Sequence, residues 1–573
     1  MYLWLGFVAL SLTTSPKMNE SLQPFGYADV QITRGPFFDQ AKIARQFYLN
    51  LNEDSLLQGF RVQAHLPAPG KPMGGWYDPD GFAAAHPFGQ FISALARMYK
   101  NTGDIRFKQK VDRLVHGFGE TIRPDGCFYA SPKVQKEWPC YLYDKNCIAM
   151  RDAFSFTGNR EALTILSKMT DWAMNNLPKR SDEWYTLPEN LLNCYALTGE
   201  TRYLQLAERY NYSEGFYNVF AAGKNGFAAN LHAYSHINTL CSCARLYQQT
   251  RDPKYLTALK NAFTFLETTQ AYASGGWGPD EHFVRPGKGE LVDFIHKTGQ
   301  GFETPCGTYA NVNVDRYLMR FTGQAQYGDN MERVLYNGQL AALPPLQDGH
   351  GFYYSDYRPG THKIRRDDPW TCCLGTYAEI TSDYPTDIYF HDKSTLFANL
   401  FVPSVVHWTA QDSPVAITQT SEYPSQLATN FAVTSTRPSR FELAVRIPSW
   451  MAGVPEVLVN GKRAQSVTKS NGWCKVERLW NSGDRLSIHF SAKPKFEPID
   501  AEHPNLGAIT VGPDMLVAIA NGEVTIKGDR SSLDRWFYRD GDDWVSLDGK
   551  TRLRPFRLIG NEHYTTYLTL QSE

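Results

Sequence analysis

The sequence predicts a multidomain α+β protein: an (α/α)6 barrel followed by C-terminal antiparallel β-sandwich domains. Three observations carry that prediction. The chain has 573 residues, more than one ordinary domain holds. Between about residues 40 and 340, helical segments recur that end in Thr-Gly or a close equivalent. After about residue 385 the helical pattern gives way to alternating apolar and polar residues.

Taken in order, residues 1–20 form a signal-like segment. The run Met1 to Ser15 is apolar and followed by small residues, although it lacks a basic leader; export to the periplasm or cell exterior is expected. No other stretch has the about 18 apolar residues of a membrane span. Tyr27 to Phe37 reads as one strand and a turn. The barrel is expected over 21–384. Its repeat is carried by Thr102-Gly103, Thr157-Gly158, Thr198-Gly199, Thr250-Arg251 and Thr322-Gly323. Glycine past a helix end is the left-handed cap, and a spacing of roughly 50 residues accommodates a pair of helices per unit. About six such pairs close into a toroid; an open solenoid is the alternative.

Residues 385–500 are expected to form one β-sandwich and 501–573 a second small β domain. Arg440 to Ile447 alternates as a half-buried strand does, and Asn460-Gly461 between apolar runs is a hairpin signal.

Composition narrows the function. Lys and Arg number 58 against 59 Asp and Glu, a net charge of -1, which suggests neither a nucleic-acid partner nor an anionic membrane surface. Aromatic residues make up 14% of the chain, a surplus that suits carbohydrate-binding clefts. Ten cysteines show no regular disulfide framework. Two of them, Cys372 and Cys373, are adjacent, and a bond between neighbours strains the peptide unit. Paired thiols there point to a metal or to nucleophilic chemistry. With Glu303 and Cys306 upstream they make a complete four-ligand set for Zn2+.

The chain resembles glycoside hydrolase family 127, typified by non-reducing-end β-L-arabinofuranosidases. The resemblance rests on Leu66-Pro67-Ala68-Pro69-Gly70, Gly74-Gly75-Trp76, Ser93 to Ala96, Gly275-Gly276-Trp277-Gly278 with Glu281, and Glu303-Thr304. It continues through Glu332-Arg333, Tyr336-Asn337, Cys372-Cys373, Arg446-Ile447-Pro448-Ser449-Trp450 and Asn460-Gly461. It implies an (α/α)6 barrel with β-sandwich domains and zinc held by Glu303, Cys306, Cys372 and Cys373. It further implies Cys372 as nucleophile, Glu281 as acid/base, and an exo-acting, retaining hydrolase of plant-type glycans. Cys306 is expected just before a helix that starts near Tyr309.

His86, Gln90, Asp144, His232 and Tyr354 are the expected sugar contacts. Gln90 and Asp144 stand where the family tends to carry histidines, and Glu303-Thr304-Pro305-Cys306 stretches its Glu-Thr-Cys spacing. These departures imply weak or no turnover of simple β-L-arabinofuranosides and a different or modified plant-wall sugar in their place, a charged one being among the alternatives. Two other classes use the same toroid: a lyase or epimerase that ignores the cysteines, and a non-catalytic carbohydrate binder with structural zinc.

Overall fold

The computed structural model describes residues 20–464 and 467–571; the apolar run expected to act as a signal lies, apart from Glu20, outside the described residues. Twelve helices form two concentric rings: α1 (Pro36–Asn50), α2 (Pro87–Thr102), α3 (Ile105–Thr121), α4 (Pro139–Thr157), α5 (Arg160–Asn176), α6 (Leu187–Thr198), α7 (Thr201–Arg209), α8 (Ala233–Thr250), α9 (Pro253–Thr269), α10 (Thr304–Thr322), α11 (Gln326–Asn337) and α12 (Cys372–Ile388). The even-numbered helices are the inner ring and the odd-numbered ones the outer. Each inner helix packs on the next, and α12 returns to pack on α2, so the toroid is closed.

The local reason is the cap. Gly103, Gly158, Gly199 and Gly323 sit at φ of 69°, 76°, 72° and 68°, each turning an inner helix toward its outer partner. Arg251 makes the same turn at φ 63° without the freedom of glycine. Inside the ring, buried Arg97 of α2 donates to Asp152 of α4 and Asp383 of α12, both at 3.0 Å, which ties the first and last inner helices together.

The β-sandwich has a six-stranded and a seven-stranded sheet, and two strands come from the start of the chain. Gln23–Pro24 pairs with Tyr389–His391, and Val30–Ile32 pairs with Ser404–Ala410. The segment from residue 21 is therefore not part of the barrel alone. The other boundaries also move: α12 runs on to Ile388, and Lys495–Pro498 pairs with Leu506–Val511 in the last, nine-stranded sheet. That sheet has its own small core of Phe496, Ile509, Leu516, Leu553 and Leu568. Asn460 and Gly461, at φ 52° and 75°, make the expected tight turn.

Barrel and sandwich are clamped together by Arg446, which is fully buried. Its guanidinium bonds Asp329 and reaches Glu332 of α11 at 2.6 Å, while Tyr423 and Trp450 donate to the same Glu332 at 2.8 and 2.9 Å. Among the described residues, no helix is long and apolar enough to cross a membrane.

Candidate active site and metal centre

A closed ring of parallel inner helices brings six helix N-termini to one end of the barrel, and a cavity of about 450 Å³ opens there. Every inner helix contributes: His86 precedes α2, Trp138 precedes α4 and Tyr141 starts it, Glu183 and Tyr185 lead into α6, His232 precedes α8, Glu303 precedes α10, and Cys372 is the first residue of α12. The positive ends of the helix dipoles converge on this space and favour anionic groups within it.

Glu303, Cys306, Cys372 and Cys373 meet at its floor, with one ligand atom from each within 4.8 Å of all the others. Cys372 Sγ lies 3.3 Å and Cys373 Sγ 3.8 Å from Glu303 Oε1, and Cys373 Sγ lies 3.5 Å from Cys306 Sγ. A tetrahedral zinc with Zn–S near 2.3 Å has edges of about 3.5–3.8 Å, so the four donors fit the ion. The extra residue, Pro305, does not spoil the set, because α10 begins at Thr304 and lifts Cys306 into its first turn. Cys306 is thus inside the helix rather than ahead of it.

The electrostatics point the same way. Burial acts to raise the Cys372 thiol, but hydrogen bonds from Cys306 and Cys373 overcome it and hold it well below the ordinary thiol value. Cys306 and Cys373 are pushed well up, by burial first; Cys372 and Cys373 add to this at Cys306, and at Cys373 a hydrogen bond with Cys306 opposes it while Cys372 adds to it. A bound dication would let all three thiols ionise. Of the three, Cys372 is half-buried and lines the cavity; Cys306 and Cys373 are buried behind it.

Glu281 lines the same cavity. It sits on a tight run in which Gly278, Asp280 and Glu281 all have positive φ (71°, 50° and 63°), costly for the two acidic residues. Asp280, the neighbouring carboxylate, does not line the cavity. The Tyr354 hydroxyl donates to Glu281 Oε1, and Arg366 Nη1 donates to Tyr354 Oη at 3.3 Å. Tyr354, expected against the sugar, therefore holds Glu281.

His232 joins the two halves of the site. Its Nδ1 donates to Glu183 Oε1 at 2.8 Å, and its Nε2 lies 3.7 Å from Glu281 Oε2 and 3.6 Å from Glu303 Oε2. Burial pulls His232 down, but Glu183 and Glu303 outweigh it and keep it well above the ordinary histidine value. His86 is different: burial takes it down to about 4, its Nδ1 bonds Ala83 O at 2.8 Å, and its buried Nε2 has no partner. A neutral ring with a free acceptor there suits a sugar hydroxyl.

Gln90 and Asp144 are corrections to the expected set. Gln90 lies one turn below His86 and donates to Glu379 Oε2 at 2.8 Å. Gly375 of α12 packs so closely over it that an added Cβ would come within 2.1 Å of Gln90 Oε1. Asp144 is buried against Lys145 at 3.4 Å and accepts from Asn190 at 2.7 Å. Neither lines the cavity. Residues that do, and that sequence reasoning missed, include Asp182, Glu183, Tyr353 and the aromatic set Trp76, Phe82 and Trp138. The lining carries four carboxylates (Asp182, Glu183, Glu281, Glu303) and no Lys or Arg.

A family model described as Beta-L-arabinofuranosidase, GH127 catalytic domain, matches residues 29–386, and the corresponding GH127 middle domain matches 395–492. A curated non-reducing end β-L-arabinofuranosidase of Bifidobacterium longum is 22% identical over 385 residues, 58% of this chain and 56% of that protein. The chain thus spans about half the length of that curated relative. Among solved structures, a GH127 β-arabinofuranosidase superposes with a TM-score of 0.77 at 19% identity, covering 96% of this chain and 98% of the other. A GH127 β-L-arabinofuranosidase from Geobacillus stearothermophilus T6 gives 0.73 at 18%, covering 95% and 100%. At such identities the likeness is one of fold.

Proposed function

The chain belongs to the GH127 β-L-arabinofuranosidase family, and from that premise we propose that it is an exo-acting, retaining glycoside hydrolase with Cys372 as nucleophile and Glu281 as acid/base. The observation that carries this reading is that, of three clustered thiols, Cys372 is the one that lines the cavity, together with a carboxylate, Glu281, fixed by its own hydrogen bond.

In the first step Glu281 gives its proton to the departing glycosidic oxygen while the Cys372 thiolate attacks the anomeric carbon; the C–O bond breaks and a C–S bond forms. In the second, Glu281 takes a proton from water, the water oxygen attacks the same carbon, and Cys372 leaves as thiolate. Two inversions return the original configuration. Glu303, Cys306, Cys372 and Cys373 would hold a zinc ion, which would supply the positive charge that keeps their thiols deprotonated. Tyr354 fixes Glu281, and His86 Nε2 accepts from a sugar hydroxyl.

A lining with four carboxylates and no Lys or Arg supports a neutral sugar over the charged alternative named from the sequence. The residues behind His86 differ from the family pattern, and the reading keeps an altered preference among neutral furanosides. A panel of aryl glycosides, with the first-formed product read by NMR, tests it. Retained configuration supports the mechanism; an inverted first product overturns it.

A further inference from the structure

One wall of the cavity is built of aromatic rings that the mechanism does not use. Trp76, Phe82 and Trp138 follow one another with centroids 4.5 and 4.6 Å apart, and Trp138 leads inward to Tyr141 at 6.1 Å. Phe82 keeps 46% of its surface exposed, although the three residues after it, Ala83, Ala84 and Ala85, are 1%, 0% and 3% exposed. Phe82 is thus an exposed ring on an otherwise buried stretch, and with Trp76 and Trp138 it makes one contiguous apolar patch on the cavity wall.

The loop is well fixed. Ala83 and Ala85 take positive φ of 49° and 58°. Lys133 Nζ donates to Asp80 O at 2.7 Å, and Ser131 Oγ to Pro79 O at 2.9 Å. Trp76 is tied to the segment that leads into the nucleophile: its N–H donates to Pro369 O at 3.2 Å, and Trp370 Nε1 donates to Met73 O at 2.7 Å. Gly75 is needed for that approach, since a Cβ there would lie 2.5 Å from Pro369 O. Trp76 also carries the Arg366 guanidinium, 5.2 Å from the ring, and Arg366 bonds Tyr354, the partner of Glu281. The aromatic wall is therefore registered against both catalytic groups.

We propose that Trp76, Phe82 and Trp138 form the leaving-group subsite and take a ring with a flat apolar face, either a phenolic ring or the C–H face of a second sugar. The inference rests on the hydrolase reading, because Glu281 must deliver its proton to the oxygen that joins the sugar to this ring. The wall meets the floor of the cavity on the side where Tyr354 and Arg366 hold Glu281. A flat face set offset on aromatic rings gains stacking contact beyond the burial of its apolar surface.

The test compares Phe82→Ala with the unmodified protein on p-nitrophenyl β-L-arabinofuranoside, a disaccharide of two L-arabinofuranose units, and methyl β-L-arabinofuranoside. The subsite requires kcat/KM to fall about five- to tenfold on at least one of the ring-bearing substrates and less than about threefold on the methyl glycoside. Loss on the aryl substrate alone assigns a phenolic partner; loss on the disaccharide as well assigns either ring. Equal change on all three overturns the subsite and leaves the hydrolase reading standing. If the unmodified protein turns over none of these three, its sugar is a different one; the hydrolase reading itself fails only if no member of the aryl glycoside panel is turned over. Saturation-transfer NMR with free phenol then decides the subsite: transfer weakened in Phe82→Ala supports it, and unchanged transfer overturns it.

Discussion

Thr376 Oγ1 donates to Cys306 Sγ at 3.3 Å, from one turn into the helix that Cys372 begins. A donor on a ligand sulfur steadies its thiolate, and such outer contacts are worth about 10–100-fold in metal affinity. The protein should carry about one zinc per chain. Thr376→Val should weaken zinc binding by that factor, and Cys306→Ser should lose most of the metal. Elemental analysis and competition with a chromophoric chelator read both, and metal-free protein purified without chelator would sink the zinc assignment.

Cys372→Ser and Glu281→Gln should both cost about a thousandfold or more in turnover on natural linkages. They should differ in character. Glu281→Gln should recover much of its rate on aryl glycosides with good leaving groups, where protonation matters less, and Cys372→Ser should recover none. Near-normal rates in Cys372→Ser would remove the cysteine from the mechanism.

The clamp between Arg446 and Glu332 has a stability consequence of its own. Both groups are buried, so Glu332→Ala strands a charge and three donors, and should cost about 3–5 kcal/mol. Chemical denaturation midpoints check this, while turnover per folded molecule should stay the same. An unchanged midpoint would mean that Asp329 alone satisfies Arg446.

Glu379 gives a pH signature. Burial raises its carboxyl from 4.5 to about 7 despite Arg97 and Lys145. Between those values the folded chain keeps a proton that the unfolded chain has lost, so stability falls as pH rises from about 4.5 to 7 and levels off above. Glu379→Gln keeps the shape and removes the titration. It should flatten that slope and stabilise the protein above pH 7, by up to about 3 kcal/mol. Parallel denaturation curves for the two proteins across this window would contradict the assignment.

Much of the fold was legible because a few residues act locally. Gly103, Gly158, Gly199 and Gly323 mark helix ends by a conformation that other residues pay to adopt. The cluster of Glu303 with three cysteines was legible because adjacent cysteines have few other uses. Gln90 and Asp144 misled because a helical position gives a direction but not a depth. Two residues four apart share a face, and the cavity ends after the first turn, where Gly375 closes over Gln90. Trp76 and Phe82 share the loop before α2 while Trp138 precedes α4, so the three become one wall only when those two helices pack together, and no spacing announced them. The strand read near Tyr27 was visible as a strand, but its partner lies far along the chain, beyond the reach of any local pattern.

That early strand has a consequence for how the molecule is made. Gln23–Pro24 finds its partner when His391 emerges, and Val30–Ile32 when Ser404 and the residues after it do. During synthesis the first segment waits, unpaired, while the whole helical ring is assembled. The ring and the sandwich are thus sewn into one circuit by a thread that starts and finishes in the same fabric. A gene fragment ending with α12 would leave that thread loose, and one starting after it would leave two sheets each missing a border.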